Sequence, residues 1–161
     1  MQKKISLLNE FYFAPELESL GKWYRQLVGE SLGKSHDVGI TPIVSIGSTD
    51  LHSMAQLYFG GPRDKFTNLI RVENEQGTAA LAKSFFKIMN AIYGGVRAAY
   101  IKNQLPFTEI IFEDISEHTL GAYMQFKTME IMYLGRLMDV NAFDQPAVED
   151  YKEETRKLLY E

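Results

Sequence analysis

With 161 residues, 45% of them apolar and 24% charged, the chain has the size and composition of a single soluble globular domain with a buried core. That balance excludes disordered, fibrous and disulfide-stapled classes. Seventeen basic against twenty-one acidic residues give a formal charge of -4 without any Lys/Arg block, which makes nucleic acid and anionic membranes poor partners. Cysteine is absent, so disulfides, thiolate metal sites and a cysteine nucleophile are excluded; with no spanning apolar run and no signal-peptide core after Met1, a cytoplasmic location is expected.

The segment Lys4 to Asn9 carries Ile5, Leu7 and Leu8 and reads as a short buried strand. From Pro15 the apolar residues Leu17, Leu20, Tyr24, Leu27 and Val28 recur at helical spacing, and Gly29 is expected to end the run. Thr41 to Gly47 reads as a second strand, followed by Ser48, Thr49 and Asp50 as capping residues and a helix over about Leu51 to Phe59. After the break Gly60-Gly61-Pro62, Phe66 to Val72 is the third strand. A long helix then spans Ala79 to Asn103, with Leu81, Phe85, Ile88, Met89, Ile92, Val96 and Tyr100 on one stripe and Gly94-Gly95 as a kink or close packing point. Glu109 to Phe112 is the fourth strand. Ser116 caps a helix bearing Leu120, Met124, Ile131, Leu134 and Met138, and a last helix runs from about Pro146 to Leu159. Alternating strands and helices imply a three-layer α/β/α domain over residues 1–161, with a mainly parallel sheet joined by right-handed crossovers. Ligands in such folds gather outside the carboxyl ends of the strands, which directs attention to the loops after Asn9, Gly47, Val72 and Glu113.

Three stretches carry candidate chemistry. In Gly29-Glu30-Ser31-Leu32-Gly33-Lys34 a carboxylate sits between glycines just past the expected helix end. It is either a solvated turn residue or, at the negative end of a helix, a general base for a carbon acid. In Gly47-Ser48-Thr49-Asp50-Leu51-His52-Ser53-Met54-Ala55-Gln56, Asp50 is a helix cap and His52 and Gln56 share a face. The loop resembles a phosphate cradle but has no Lys at Walker spacing, and His52 is either a capping histidine or a group at the mouth of the sheet. His36 and His118 pair with no second ligand at metal spacing, so no metal is expected. In the third stretch, Gly135 to Lys152, Gln145 and Lys152 are seven apart; on one helix they would share a face about 10 Å apart along the axis. The plain alternative is a capped amphipathic helix with a solvated Lys.

The run Phe143-Asp144-Gln145-x-Ala147-Val148-Glu149-x-x-Lys152, with Gly135 at the right distance before it, resembles the C-terminal signature of glucose-6-phosphate isomerases. Gly29-Glu30-Ser31-x-Gly33-Lys34 and Thr49-Asp50-Leu51-His52-Ser53-Met54-x-Gln56 resemble two further blocks of bacterial members, in the same order. Ala147 stands where many members have Gly. The resemblance covers the whole chain and corresponds to about the final third of a member, its C-terminal sugar-isomerase (SIS) domain. It implies isomerisation of glucose 6-phosphate and fructose 6-phosphate through a cis-enediol, with no cofactor. By it, Glu30 is the base between C1 and C2, His52 and Lys152 serve ring opening, and Gln145 binds substrate. It also implies a homodimer in which the histidine reaches the neighbouring active site, and a phosphate loop and arginine in an N-terminal portion that nothing here matches. The alternative is a non-catalytic phosphosugar-binding or regulatory domain on the same fold.

Overall fold

The computed structural model describes residues 5–74 and 80–160. Four strands, β1 (Leu7–Tyr12), β2 (Thr41–Ile46), β3 (Lys65–Val72) and β4 (Phe107–Phe112), form one sheet in the order β2-β1-β3-β4 with every pairing parallel. The helices are α1 (Glu18–Leu32), α2 (Thr49–Ser53), α3 (Ala55–Gly60), α4 (Ala80–Lys102), α5 (Glu117–Leu137) and α6 (Val148–Tyr160). The expected α/β class with a parallel sheet is what the chain adopts.

The sheet is covered on both faces. Phe11, Phe13 and Leu69 pack with Tyr58 of α3 and Met89, Tyr93, Val96 and Tyr100 of α4. On the other face Leu8, Tyr12, Ile70 and Phe112 meet Tyr24, Val28 and Leu32 of α1 and Tyr123 and Ile131 of α5. Because both sides of β1 are buried, its sequence carries no polar alternation.

Several boundaries move, for identifiable reasons. β1 begins and ends three residues later than Lys4 to Asn9; Lys4 itself lies outside the described residues. The run looks finished at Glu10 because a charge interrupts it, yet Glu10 is 1% exposed. Its Oε1 accepts from Asn68 Nδ2 at 2.5 Å and lies 3.5 Å from Lys127 Nζ, and its Oε2 accepts from Tyr12 at 3.0 Å and Tyr123 at 2.5 Å. The compensating groups are long-range in sequence and invisible to local periodicity.

α1 continues through Gly29 to Leu32, since Val28, Ser31 and Leu32 are all drawn into the core. Gly33 closes it, its N–H donating to the Gly29 carbonyl at 3.3 Å, and a Cβ there would lie 2.8 Å from that oxygen. The helix expected over Leu51 to Phe59 breaks at Met54 (φ -122°) into α2 and α3. Consequently His52 and Gln56 do not lie on one continuous helix. Ser116 caps α5 as expected, accepting the Thr119 N–H at 3.3 Å.

In α4 the buried stripe is Met89, Tyr93, Val96 and Tyr100, while Phe85 and Ile88 are exposed. Ala79 and the side chain of Leu81 lie outside the described residues. A Cβ at Gly94 or Gly95 would meet nothing, so neither is a close packing point. In α5 the inward face is Tyr123, Lys127, Ile131 and Gly135. α6 starts at Val148, not Pro146, and buries no residue.

Candidate active site

Strand direction decides where the candidate residues can meet. β1 runs into α1 by a short 3₁₀ turn (Pro15–Leu17), and α1 returns along the sheet to reach the start of β2. β4 runs into α5, which returns in the same sense and packs beside α1. The ends of α1 and α5 therefore come together at the amino edge of the sheet, with Leu32 Cδ2 lying 3.7 Å from the position of a Cβ on Gly135. Gly135 is needed there, since the same Cβ would be 3.0 Å from the Ala142 side chain and would push away the chain leaving α5.

Glu30 lies in the last turn of α1, half-buried, rather than past its end. Its Oε1 accepts from Gln26 Nε2, one turn back, at 2.9 Å. Its Oε2 accepts from Gln145 Nε2, also at 2.9 Å, across 115 residues of sequence. The Glu30 carboxylate thus has two neutral amide donors and faces a shallow cleft of about 60 Å³ lined by Gly29, Lys34, Gln145 and Ala147 among others. Lys34 Nζ reaches the Asp144 carbonyl and, at 3.4 Å, Asp144 Oδ1. Two of the three sequence blocks are brought into direct contact.

Gln145 is not on a helix with Lys152: it sits three residues before α6 begins, so the shared-face spacing does not apply. Lys152 stands in the first turns of α6, its Nζ 2.7 Å from Glu149 Oε1. That hydrogen bond, with the charge behind it, raises Lys152 above its usual value and lowers Glu149 below its own. Lys152 is accordingly a permanent cation at neutral pH.

His52 lies elsewhere. It is exposed, on α2 directly after β2, at the carboxyl edge of the sheet. The six-residue strands span about 20 Å, so within one chain His52 and Glu30 are at opposite ends of the sheet. Asp50 is no cap: it reaches back, accepting the Ile46 N–H at 2.7 Å and the Ser53 hydroxyl at 2.7 Å, and so fixes the turn that presents His52. The carboxyl edge also carries an apolar cavity of about 90 Å³ between Phe13, Val72, Met89 and Ile115, and none of the four candidate residues lines it. His52 thus stands at the carboxyl ends of the strands, and Glu30 and Gln145 at the amino edge.

Sequence reasoning passed over Lys34 and Asp144 as functional groups, although both stand within the motif blocks. Their adjacency to Glu30 and Gln145 was the available signal. Among the described residues no three His, Asp or Glu side chains converge where a metal could sit, and no helix is long and apolar enough to cross a membrane.

No family model matches the chain. It is 32% identical to the glucose-6-phosphate isomerase of Methanocaldococcus jannaschii, over 98% of this chain and 41% of that protein. It is 32% identical to the isomerase of Carboxydothermus hydrogenoformans and 34% to that of Lactobacillus helveticus, in each case over 91% of this chain and 36% of the relative. A hypothetical protein from Thermus thermophilus superposes with a TM-score of 0.84 at 30% identity, covering 96% of this chain and 41% of that structure. A glucose-6-phosphate isomerase from Chlamydia trachomatis superposes at 0.73 and 15% identity over 96% of this chain and 34% of its own, which speaks for the fold alone. The chain spans well under half the length of these relatives, a partial match consistent with a C-terminal domain. With identities of 32 to 34% sustained along nearly its entire length, the chain matches a part of the glucose-6-phosphate isomerases of these organisms.

Proposed function

We propose that the chain is one SIS-type domain supplying the C-terminal part of an active site that interconverts glucose 6-phosphate and fructose 6-phosphate. The observation that carries this reading is the Gln145 to Glu30 hydrogen bond, which joins two of the motif blocks at one cleft. An aldose-ketose conversion needs a base for the proton beside a carbonyl, and the carbonyl exists only after the sugar ring has opened. Glu30 takes the C2 proton of the open-chain aldose while O1 gains a proton, giving a cis-enediol, and then returns its proton to C1 as O2 gives one up to become the ketose carbonyl. A half-buried carboxylate held in place by two side-chain amides and facing a cleft suits this role. Lys152, kept protonated by Glu149, acts in ring opening, and Gln145 binds the substrate beside the base.

His52 is about a strand length away from Glu30 and supplies ring opening to a neighbouring subunit, which requires a homodimer. The phosphate anchor comes from an N-terminal portion, in cis or as a separate chain. Binding energy from the phosphate is what would position C1 and C2 against the base.

The experiment completes the chain with the N-terminal portion of a relative and measures fructose 6-phosphate turnover. Glu30→Gln is expected to slow it at least ~10³-fold, about 4 kcal/mol of transition-state stabilisation, and the isolated 161 residues are expected to be slower by a similar factor. Near-wild-type turnover by Glu30→Gln would refute the base assignment. Tight calorimetric binding of fructose 6-phosphate by the isolated chain, with no turnover after completion, would replace the reading by a phosphosugar-binding module.

A further inference from the structure

The segment that carries Gln145 has few means of its own to stay in place. Ala142 lies close to Gly135, where an added Cβ would come within 3.0 Å of its side chain. Beyond it, Phe143 is 78% exposed, and Asp144, Gln145, Pro146 and Ala147 all face solvent. Apolar burial therefore does not hold 143–147 against α1, and polar contacts must do so. Two are present: Gln145 on Glu30, and Lys34 on Asp144.

Lys34 is built for this task. Its side chain is only 9% exposed, unlike that of Asp144 at 54%. A cation so covered needs a fixed anionic or carbonyl partner, and Lys34 has both from one residue, the Asp144 carbonyl and Oδ1. The other carboxylate oxygen, Asp144 Oδ2, accepts from Asn141 Nδ2 at 2.8 Å, and Asn141 Oδ1 accepts the Phe143 N–H at 3.1 Å. The segment is thus braced internally around Asp144 and tied to α1 through Lys34. The tie springs from the residue that follows Gly33, where the closing hydrogen bond to the Gly29 carbonyl leaves no room for a Cβ. Lys34 consequently leaves the helix four residues after Glu30, on the side where Asp144 and Gln145 arrive.

We propose that Lys34 is a positioning residue, which by gripping Asp144 sets the 143–147 segment so that Gln145 bonds the Glu30 carboxylate. The proposal deepens the isomerase reading and, for its catalytic consequence, rests on it. Lys34 bonds Asp144, while the Glu30 carboxylate is bonded by Gln26 and Gln145; Lys34 acts through Asp144 and the single peptide link to Gln145. An amide at the base has value only at a fixed place, since a displacement of about 1 Å can cost a large factor in rate. Arg in place of Lys34 preserves charge and donors, whereas Met preserves the covered stem and loses both.

The test uses hydrogen-deuterium exchange and nitrogen NMR on the 161-residue chain as the parent, Lys34→Met and Lys34→Arg. Lys34→Met is expected to speed exchange of the amides of 143–148 at least ~10-fold while those of Tyr24 to Val28 in α1 keep their protection, and Lys34→Arg is expected to stay within about 3-fold of the parent. The Gln145 side-chain amide resonance should shift when Glu30→Gln is added to the parent or to Lys34→Arg, and should no longer respond in Lys34→Met. A merely structural lysine would not break that coupling. Unchanged exchange together with a responsive Gln145 in Lys34→Met overturns the proposal, whatever the activity. In the completed protein Lys34→Met should lower kcat by about 10-fold or more, with Lys34→Arg restoring most of it. If Glu30→Gln retains turnover while Lys34→Met still loosens the segment, the base assignment falls and the clamp stands. If Glu30→Gln abolishes turnover and Lys34→Met changes neither exchange nor kcat, the clamp falls and the base stands.

Discussion

Glu10 and Glu30 are both glutamates held by more than one hydrogen-bond donor, and their surroundings are opposite in kind. Glu10 sits inside the sheet-helix layer, 1% exposed, with Asn68, Tyr12 and Tyr123 as donors and Lys127 as counter-charge. Burial, reinforced by the Glu10 charge, pushes the Tyr12, Tyr24 and Tyr123 phenols far above their usual range, so all three remain neutral and Tyr12 and Tyr123 donate to Glu10. Every one of its lone pairs is spoken for, and no path leads a substrate to it. Glu30 has two amides, no ion-paired cation among the described residues, and an open cleft. A carboxylate surrounded by saturating partners ties elements together; one held by neutral groups at a surface can exchange a proton. What separates structure from chemistry here is the partner set and the opening, since residue type and donor count are nearly shared.

The largest break in that comparison removes the cation from the buried side. Lys127 is 1% exposed, lies 2.7 Å from Glu130 and 3.5 Å from Glu10, and holds its ammonium 4.9 Å from the Tyr24 ring centroid. Lys127→Met leaves Glu10 charged and buried without a counter-ion. We expect a loss of about 3 kcal/mol or more in chemical denaturation, because stripping one partner from a buried pair costs far more than a surface pair is worth. A loss below about 1 kcal/mol would mean that the phenols and Asn68 alone suffice for Glu10.

These polar groups also mark the limit of what the sequence discloses. The order of strands and helices, the parallel sheet and the capping role of Ser116 follow from apolar spacing and cap chemistry. The expected β1 is displaced because Glu10 breaks an apolar run, and the expected α5 face omits Lys127 because a lysine reads as a solvent residue. The two lie 3.5 Å apart in the core, and most of the chain separates them in sequence. At the candidate site, motifs named Glu30 and Gln145, while local pattern could not say that α1 runs on past Gly29 or that α6 starts after Gln145. It set His52 at the mouth of the sheet but could not place Glu30 at the opposite edge, since that depends on how α1 returns along the sheet. Lys34 escapes sequence reasoning because a Lys after a glycine is usually solvated, and only the fold shows it covered.

An intermediate case sharpens the contrast on the pH axis. Glu109, on edge strand β4, accepts from the Tyr93 hydroxyl at 2.6 Å and from Arg97 Nε at 2.8 Å. The Tyr93 hydrogen bond first, and Arg97 after it, hold its carboxyl below the ordinary 4.5, while burial and then Glu109 push Tyr93 up to about 12. A depressed carboxyl contributes stability that is present above its unfolded value and is lost as the pH falls through the lower folded one. Arg97 is 45% exposed and Glu109 29%, so solvent keeps the contribution under about 1 kcal/mol. Glu109→Gln should therefore be slightly less stable than the parent at neutral pH, with the gap closing below about pH 4.5. A gap that widened on acidification would reverse the assigned sign.

The smallest effect belongs to the exposed side of the comparison. Glu30→Gln keeps the size and shape of the side chain and removes one charge that no cation balances. Its Oε1 still accepts from Gln26, and the amide end can rotate so that its nitrogen faces the cleft or water. α1 itself is held by Tyr24, Val28 and Leu32, each 0% exposed. A charge near the negative end of the helix dipole is, if anything, mildly unfavourable, by a few tenths of a kcal/mol once exposure is allowed for. We therefore expect the denaturation free energy of Glu30→Gln to lie within about 0.5 kcal/mol of the parent, even though the same change is expected to remove isomerisation in the completed protein. That separation is what distinguishes a chemical carboxylate from a structural one. A destabilisation of about 2 kcal/mol or more would place Glu30 with Glu10, as a group whose task is to join α1 to the segment after α5, and the lost turnover would then report a displaced Gln145 rather than a missing base.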